Sequence, residues 1–282
     1  MDFSFGRRPI SSSFDGFRAC LPAGRDFERI SRIILICGIS VLAIRGIGAA
    51  AATDTDGDGI SDSDEQLVYY TDQWNGDSDG DGYADGVEIS TGYSPRVKGK
   101  KMEEVDSDQD GLNDSVEIAL RTNIINKDSD GDGYADLDEV NSGHSPASTS
   151  AESVPKRVEI SLKTNRLSYY FGTVKMGEFP VSPGIPRMPT PTGEFRVAGK
   201  YPKAWSRSSK LWMPWWMNFT GKGARAGAFG IHELPIWPGG RREGLSVLGR
   251  PASHGCVRLG IGPAKILYDF APVDTPVIIS KN

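Results

Sequence analysis

The sequence predicts a mainly β domain preceded by a string of acidic loops with short helices, and three observations carry that reading. Four copies of one Asp- and Gly-rich pattern fill residues 54–139. From Val154 onward the texture changes: Val158, Ile160 and Leu162 alternate with Glu159, Ser161 and Lys163, giving a strand with one apolar and one polar face. Charge divides at the same border, with 25 acidic against 6 basic residues over 54–139 and 7 against 19 over 155–282. A single fold does not ordinarily segregate charge so sharply. The division therefore marks two units with different partners, cations for the first and something anionic for the second.

The four repeats begin at Asp54, Asp77, Asp106 and Asp128, and each carries Asp at loop positions one, three, five and nine, Gly at six, an apolar residue at seven and Glu at twelve. Alternate carboxylates wrap oxygen ligands around one centre, the glycine permits the bend, and the glutamate closes the shell. The expected ligands are Asp54, Asp56, Asp58, Asp62 and Glu65 in the first loop; Asp77, Asp79, Asp81, Asp85 and Glu88 in the second; Asp106, Asp108, Asp110, Asp114 and Glu117 in the third; and Asp128, Asp130, Asp132, Asp136 and Glu139 in the fourth. Oxygen donors without His or Cys point to calcium rather than zinc. An acidic disordered linker would also be soluble, but solubility does not require fixed placement of Gly and Glu. Only 11, 17 and 10 residues separate successive loops, so short helical turns such as Val87–Ser90 and Val116–Leu120 are expected rather than long paired helices. These loops resemble bacterial thrombospondin type 3 calcium repeats, with the apolar residue at seven and Asp at nine where an EF-hand differs.

Domain boundaries follow from composition. Residues 1–52 hold a basic region (Arg25, Arg29, Arg32), an apolar run Ile33–Ile44 and small residues Gly48–Ala52, the layout of a secretory signal peptide. The apolar run is shorter than the roughly 20 residues of a spanning helix, so a signal is favoured over an N-terminal membrane anchor, and membrane contact is expected only if this segment stays uncleaved. Residues 53–146 are the repeats, 147–153 a linker within the Ser-, Ala- and Pro-containing stretch Ser142–Ser153, and 154–282 the second domain. In that domain a hairpin is expected around Asn165-Arg166, with Leu167–Phe171 as its second strand. Further strands are expected at Thr173–Val181, Gly193–Val197 and Pro276–Ser280, and a short helix at Pro263–Phe270.

Cleavage near Ala52 would remove Cys20 and Cys37 and leave Cys256 as the sole thiol. An unpaired cysteine in an exported chain is either an inert buried side chain or a reactive one. Cys256 stands in Ser253-His254-Gly255-Cys256-Val257-Arg258, downstream of Gly230-Ile231-His232. A thiol is only a few per cent thiolate at neutral pH and needs a base or positive surroundings to become a nucleophile. Two imidazoles near it in the motif meet that need, and the amides of Gly255 and Cys256 are expected to face an oxyanion. Trp205, Trp212, Trp215, Trp216 and Trp237 read equally as core or as a cleft wall that stacks on substrate.

These residues resemble the catalytic signature of the L,D-transpeptidase family, and the resemblance extends over Val158–Ile279. It takes in Pro180-Val181-Ser182-Pro183-Gly184, Thr190-Pro191-Thr192-Gly193-Glu194-Phe195 and Met213-Pro214-Trp215-Trp216-Met217. The resemblance implies an L,D-transpeptidase-like β-sandwich or barrel with Cys256 as nucleophile, His232 as general base and His254 positioning the thiol. It also implies Ser253, Gly255 and Arg258 as shapers of the acyl site, and no cofactor for catalysis. The implied partner is the peptidoglycan stem peptide, with a wall-anchored protein as another possible acceptor and no nucleic acid. The implied place is the periplasm or cell envelope of a bacterium. Carboxypeptidase activity, protein attachment to the wall and a non-enzymatic calcium-dependent surface module remain open. Two departures stand out: Glu233 replaces the family's usual Gly, and the 20 residues between His232 and Ser253 exceed the usual spacing. A longer loop, Pro235–Gly244, is expected over the cleft.

Overall fold

A computed structural model describes residues 53–150 and 152–281, so the signal-like segment with Cys20 and Cys37 lies outside the described residues. Each acidic loop runs into a short helix that starts at its position-nine aspartate. These are α1 (Asp62–Asp64, continued by a π-helical turn Glu65–Tyr69), α2 (Asp85–Thr91), α3 (Asp114–Leu120) and α4 (Asp136–Ser142). Carboxylates in the first turn suit the positive end of the helix dipole. A left-handed residue stops each helix, glycine at Gly92 and Gly143, and Tyr70 and Arg121 in the other two.

The repeats pair one with two and three with four. Asp58 Oδ2 accepts from the Gly86 amide at 3.2 Å, and Asp110 Oδ2 from the Leu137 amide at 3.2 Å. Gly86 has no room for a side chain there, since a Cβ would stand 2.4 Å from the Asp58 carbonyl. The pairing decides the fate of position seven. Ile60 and Leu112 in the first and third loops are buried, whereas Tyr83 and Tyr134 in the second and fourth are about two-thirds exposed, at 63% and 66%.

The second half is mainly β, as expected. Its strands are β1 (Lys156–Ser161), β2 (Arg166–Phe171), β3 (Val174–Pro180), β4 (Gly193–Ser206), β5 (Leu211–Gly221), β6 (Ala224–Glu233), β7 (Val257–Leu259) and β8 (Pro276–Ser280). They form one mixed sheet in the order β3-β2-β1-β8-β4-β5-β6-β7, with β1/β8 and β6/β7 parallel. The β1–β2 hairpin turns through Asn165 at φ 53°, where the sequence placed it. Helix α5 (Pro263–Phe270) lays Ala264, Leu267 and Phe270 onto the sheet.

Repeats three and four are part of the same packing. Leu112 from the third loop, Val116 from α3 and Val140 from α4 join the cluster formed by Val158, Leu167, Phe270 and their neighbours. Lys156, buried in β1, donates to the Asn141 carbonyl at the end of α4 (2.9 Å) and to the Phe270 carbonyl at the end of α5 (2.8 Å). The Ser- and Pro-rich segment after α4 folds back on itself, with Val154 N–H donating to Gly143 O at 2.8 Å and His144 bridging Ser153. All described residues fall within one compact unit. Among them no helix is long and apolar enough to cross a membrane.

Candidate active site and cation loops

The parallel pairing of β6 with β7 brings the two halves of the thiol motif together. Its register sets Ile231 beside Val257 and His232 beside Arg258, so Cys256 enters the sheet one residue ahead of β7 and level with Gly230. The turn before Cys256 is held by side chains. Ser253 Oγ accepts from Gly255 N–H at 3.0 Å and donates to the Cys256 carbonyl. Thr190 Oγ1 donates to Gly255 O at 2.9 Å and accepts from Gly184 N–H at 2.9 Å. Gly255 sits at φ +112°, and a Cβ on it would stand 2.6 Å from the Phe229 ring, so glycine is required there.

His232 is buried, with the Trp216 ring tilted at 36° to it and 5.6 Å away by ring centroids. Its Nδ1 lies 2.6 Å from the Glu233 carbonyl, which can only accept, so the proton of the neutral ring belongs on Nδ1 and Nε2 keeps its lone pair. Burial pulls the imidazole down to about 4; the Glu233 carbonyl opposes this and the Arg258 charge adds to it. Burial also pushes the Cys256 thiol up, partly offset by a backbone hydrogen bond from Gly230 and by the Arg258 charge. Both shifts favour a neutral thiol beside a neutral imidazole over a preformed ion pair. Cys256, His232, His254, Ser253 and Arg258 all line one cavity of about 410 Å³, so the sulfur is not sealed in an apolar interior. His254 is exposed at the rim of that group, whereas Ser253 is buried and acts on the turn.

Three sequence-based expectations are corrected here. The Gly255 amide does not face a reacting oxygen, because Ser253 Oγ already accepts from it; the Cys256 amide has no such partner among the described residues. The Pro235–Gly244 loop does not line the cavity. It is strapped beside it, with Glu233 paired to Arg242 and Glu243 to Arg258 at 2.9 Å. The remaining wall is instead the tip of the β4–β5 hairpin, with Trp205, Arg207 and Ser209, backed by Leu211, Met213 and Trp216. The tryptophans thus divide: Trp205 and Trp216 face the cavity, while Trp215 packs with Tyr268 of α5 at 5.3 Å.

The third correction concerns the cation loops. Asp62, Asp85, Asp114 and Asp136 at position nine close their loops back onto position two and stand outside the converging carboxylates, although Asp85 Oδ2 is buried without a hydrogen-bond partner. Both oxygens of Asp62, Asp114 and Asp136 accept from the amide and hydroxyl of the position-two residue (Thr55, Ser107, Ser129), at 2.6–2.8 Å. One oxygen of Asp85 accepts from the Ser78 amide at 2.8 Å. The carboxylates that converge are those at positions one, three and five, whose oxygens lie within 4.8 Å of one another in every loop.

These loops fit a cation. The second oxygens of Asp56, Asp79, Asp108 and Asp130 are buried without a hydrogen-bond partner, as is at least one oxygen of Glu65, Glu88, Glu117 and Glu139. Burial, then the position-three aspartate, pushes Glu65, Glu88 and Glu139 up to about 7 and Glu117 to about 9. Carboxylates forced this far toward neutrality lack the counter-charge that a hard divalent ion supplies. The residues placed to hold one are those at positions one, three, five and twelve, joined in the second loop by Asp85 through its unpartnered oxygen.

A mainly β sheet in which a thiol and a buried neutral imidazole share a cavity defines a thiol-centred site. In comparison with known proteins, residues 155–279 match the family model of the L,D-transpeptidase catalytic domain, and residues 54–66, 77–92, 106–123 and 128–143 match the bacterial TSP3 repeat. A Bacillus subtilis (strain 168) protein named "Putative L,D-transpeptidase YciB" is 30% identical over 98 residues, covering 32% of this chain and 46% of that protein. The chain thus spans about half the length of that curated relative. Among solved structures, an L,D-transpeptidase from Mycobacterium smegmatis matches at 20% identity and TM-score 0.38, covering 45% of this chain and 59% of its own. An L,D-transpeptidase from Mycobacterium tuberculosis H37Rv matches at 23% identity and TM-score 0.38, covering 45% and 58%.

Proposed function

We propose that the chain is an exported peptidoglycan L,D-transpeptidase of the cell envelope, in which Cys256 forms a thioester with a tetrapeptide stem and passes it to an amine. The observation that carries this reading is the shared cavity of Cys256 and a neutral His232 whose Nδ1 proton is fixed on the Glu233 carbonyl. On attack, the thiol proton passes to His232 Nε2 as sulfur adds to the carbonyl between the third residue and the terminal D-alanine. The imidazolium then protonates the leaving amine, and the Glu233 carbonyl holds the ring through both transfers. The Cys256 amide is the backbone donor available to the oxyanion. An amine from a neighbouring stem resolves the thioester. Net charge of the second half, 19 basic against 7 acidic residues, suits a polyanionic wall.

Calcium bound in the four loops is the second part of the proposal. Residues 53–146, 147–153 and 154–282 are read as repeats, linker and catalytic domain, with repeats three and four serving as a docked support. Leu112, Val116, Val140 and the Lys156 bridge supply the coupling.

Incubating the secreted protein with tetrapeptide muropeptides and analysing products by mass spectrometry tests the activity. A cross-linked dimer supports transpeptidation; a trimmed tripeptide makes the protein a carboxypeptidase, and a protein-linked fragment an attachment enzyme. Unchanged substrate would leave a surface-binding module.

A further inference from the structure

The cavity holding Cys256 is lined by two guanidinium groups, Arg207 and Arg258, and by no carboxylate. Their situations differ. Arg258 is nearly enclosed, and its Nη1 is committed to Glu243 at 2.9 Å and to the Ala252 carbonyl at 3.1 Å. Arg207 is exposed and has no hydrogen-bond or ion-pair partner among the described residues.

The segment that carries Arg207 is built to hold its place. Ser206 pairs with Leu211 and Trp205 with Trp212 across the hairpin, and their two rings lie 4.9 Å apart. Ser209 N–H donates to Ser206 Oγ at 3.1 Å, and Lys203 Nζ sits 4.7 Å over the Trp212 ring. The four-residue turn from Arg207 to Lys210 is thus closed below by paired aromatic residues. A free planar fork on a braced turn, in a wall without acids, fits bidentate capture of a carboxylate.

We propose that Arg207 is a specificity-determining residue that takes a carboxylate of the acyl-donor stem and holds it over Cys256. This rests on the transpeptidase reading. The two free carboxylates borne by the residues on either side of the scissile bond are the terminal one of D-alanine and the side-chain one of diaminopimelate.

The test measures kcat and KM for the wild-type chain, Arg207→Ala and Arg207→Lys on three synthetic tetrapeptides: unmodified, amidated at the terminus, and amidated at the diaminopimelate. Arg207→Ala is expected to raise KM for the unmodified stem about tenfold with kcat unchanged, the scale of one lost charge-assisted pair. It should also abolish the wild-type preference for carboxylate over amide at one of the two positions, which identifies the group recognised. Arg207→Lys should restore part of the affinity, and added salt should raise KM in the wild type but not in Arg207→Ala. Unchanged KM and undiminished discrimination at both positions in Arg207→Ala would overturn the proposal. Titrating the same three peptides into Cys256→Ala, with and without Arg207→Ala, reads recognition without turnover. A loss of binding on removing Arg207 there supports the assignment even if the chemistry is not transpeptidation, and equal binding refutes it.

Discussion

Across the parallel pairing of β6 with β7, His232 lies beside Arg258, and the two differ in what they are given to bond. Arg258 has a carboxylate and a carbonyl, whereas His232 has only the Glu233 carbonyl on one ring nitrogen. A buried imidazole next to a fixed positive charge resists a second proton, which keeps it a base.

The first prediction concerns that proton. In the folded chain His232 should titrate near pH 4, against about 6.5 for an ordinary imidazole. Because the folded value is depressed, the unfolded chain takes up the proton first as pH falls. His232 therefore withdraws stability between about pH 6.5 and pH 4 and withdraws no more below that. Ring resonances of His232 followed by NMR should shift near pH 4, and a midpoint near 6.5 would contradict the buried neutral assignment.

Gly255→Ala should disrupt the thiol turn. At φ +112° with Phe229 2.6 Å from the new Cβ, the substitution is expected to cost at least about 1–3 kcal/mol, and to lower the rate at which Cys256 is alkylated or acylated. Thermal unfolding and iodoacetamide labelling would show it; wild-type stability and labelling would mean the turn is more accommodating than drawn.

Calcium should stabilise the β domain and not only the repeats. Five of the six tryptophans lie in the second half, so their fluorescence reports that half. At calcium 100-fold above a site's Kd each coupled site is expected to add about 2.7 kcal/mol, and the tryptophan unfolding transition should rise with calcium. Leu112→Ala, in the third loop, should lower it by about 2–5 kcal/mol. A tryptophan transition indifferent to both would show that the repeats fold independently.

Glu139→Gln and Asp136→Ala should separate ligand from scaffold in the fourth loop. Glu139 keeps an unpartnered buried oxygen, whereas both oxygens of Asp136 are used by Ser129. Glu139→Gln should weaken calcium binding while sparing, or even firming, the metal-free loop, since it removes a buried charge. Asp136→Ala should loosen the loop without metal as well, visible as lost protection from proteolysis in chelator. Equal effects of the two changes on both readouts would erase the distinction.

Alternation in Val158–Leu162, the turn at Asn165 and the apolar face of Pro263–Phe270 made much of the sheet and its helix readable from sequence. Strands β5, β6 and β7 were not. Leu211–Gly221 carries Met-Pro-Trp-Trp-Met and is buried on four consecutive residues, Trp216 to Phe219, so it has no period of two. Ala224–Glu233 is exposed from Arg225 to Ala228 and interrupted by Gly227 and Gly230, and Val257–Leu259 is too short to show a pattern. The thiol motif was visible because its residue types are rare in this chain. The hairpin tip was not, because nothing in Ser206–Ser209 announces that it will stand over Cys256. Position nine was hard to read for a related reason: the hydrogen bonds that tie its aspartate to the Ser or Thr at position two leave no mark in the residue pattern.

The most direct test of the account is intact-mass analysis of the chain mixed briefly with a tetrapeptide stem and quenched in acid. The account predicts an adduct of the stem less D-alanine, sensitive to hydroxylamine, mapped to Cys256, absent in Cys256→Ala and strongly slowed in His232→Ala. An adduct that persists in Cys256→Ala, or forms at the wild-type rate in His232→Ala, would contradict it.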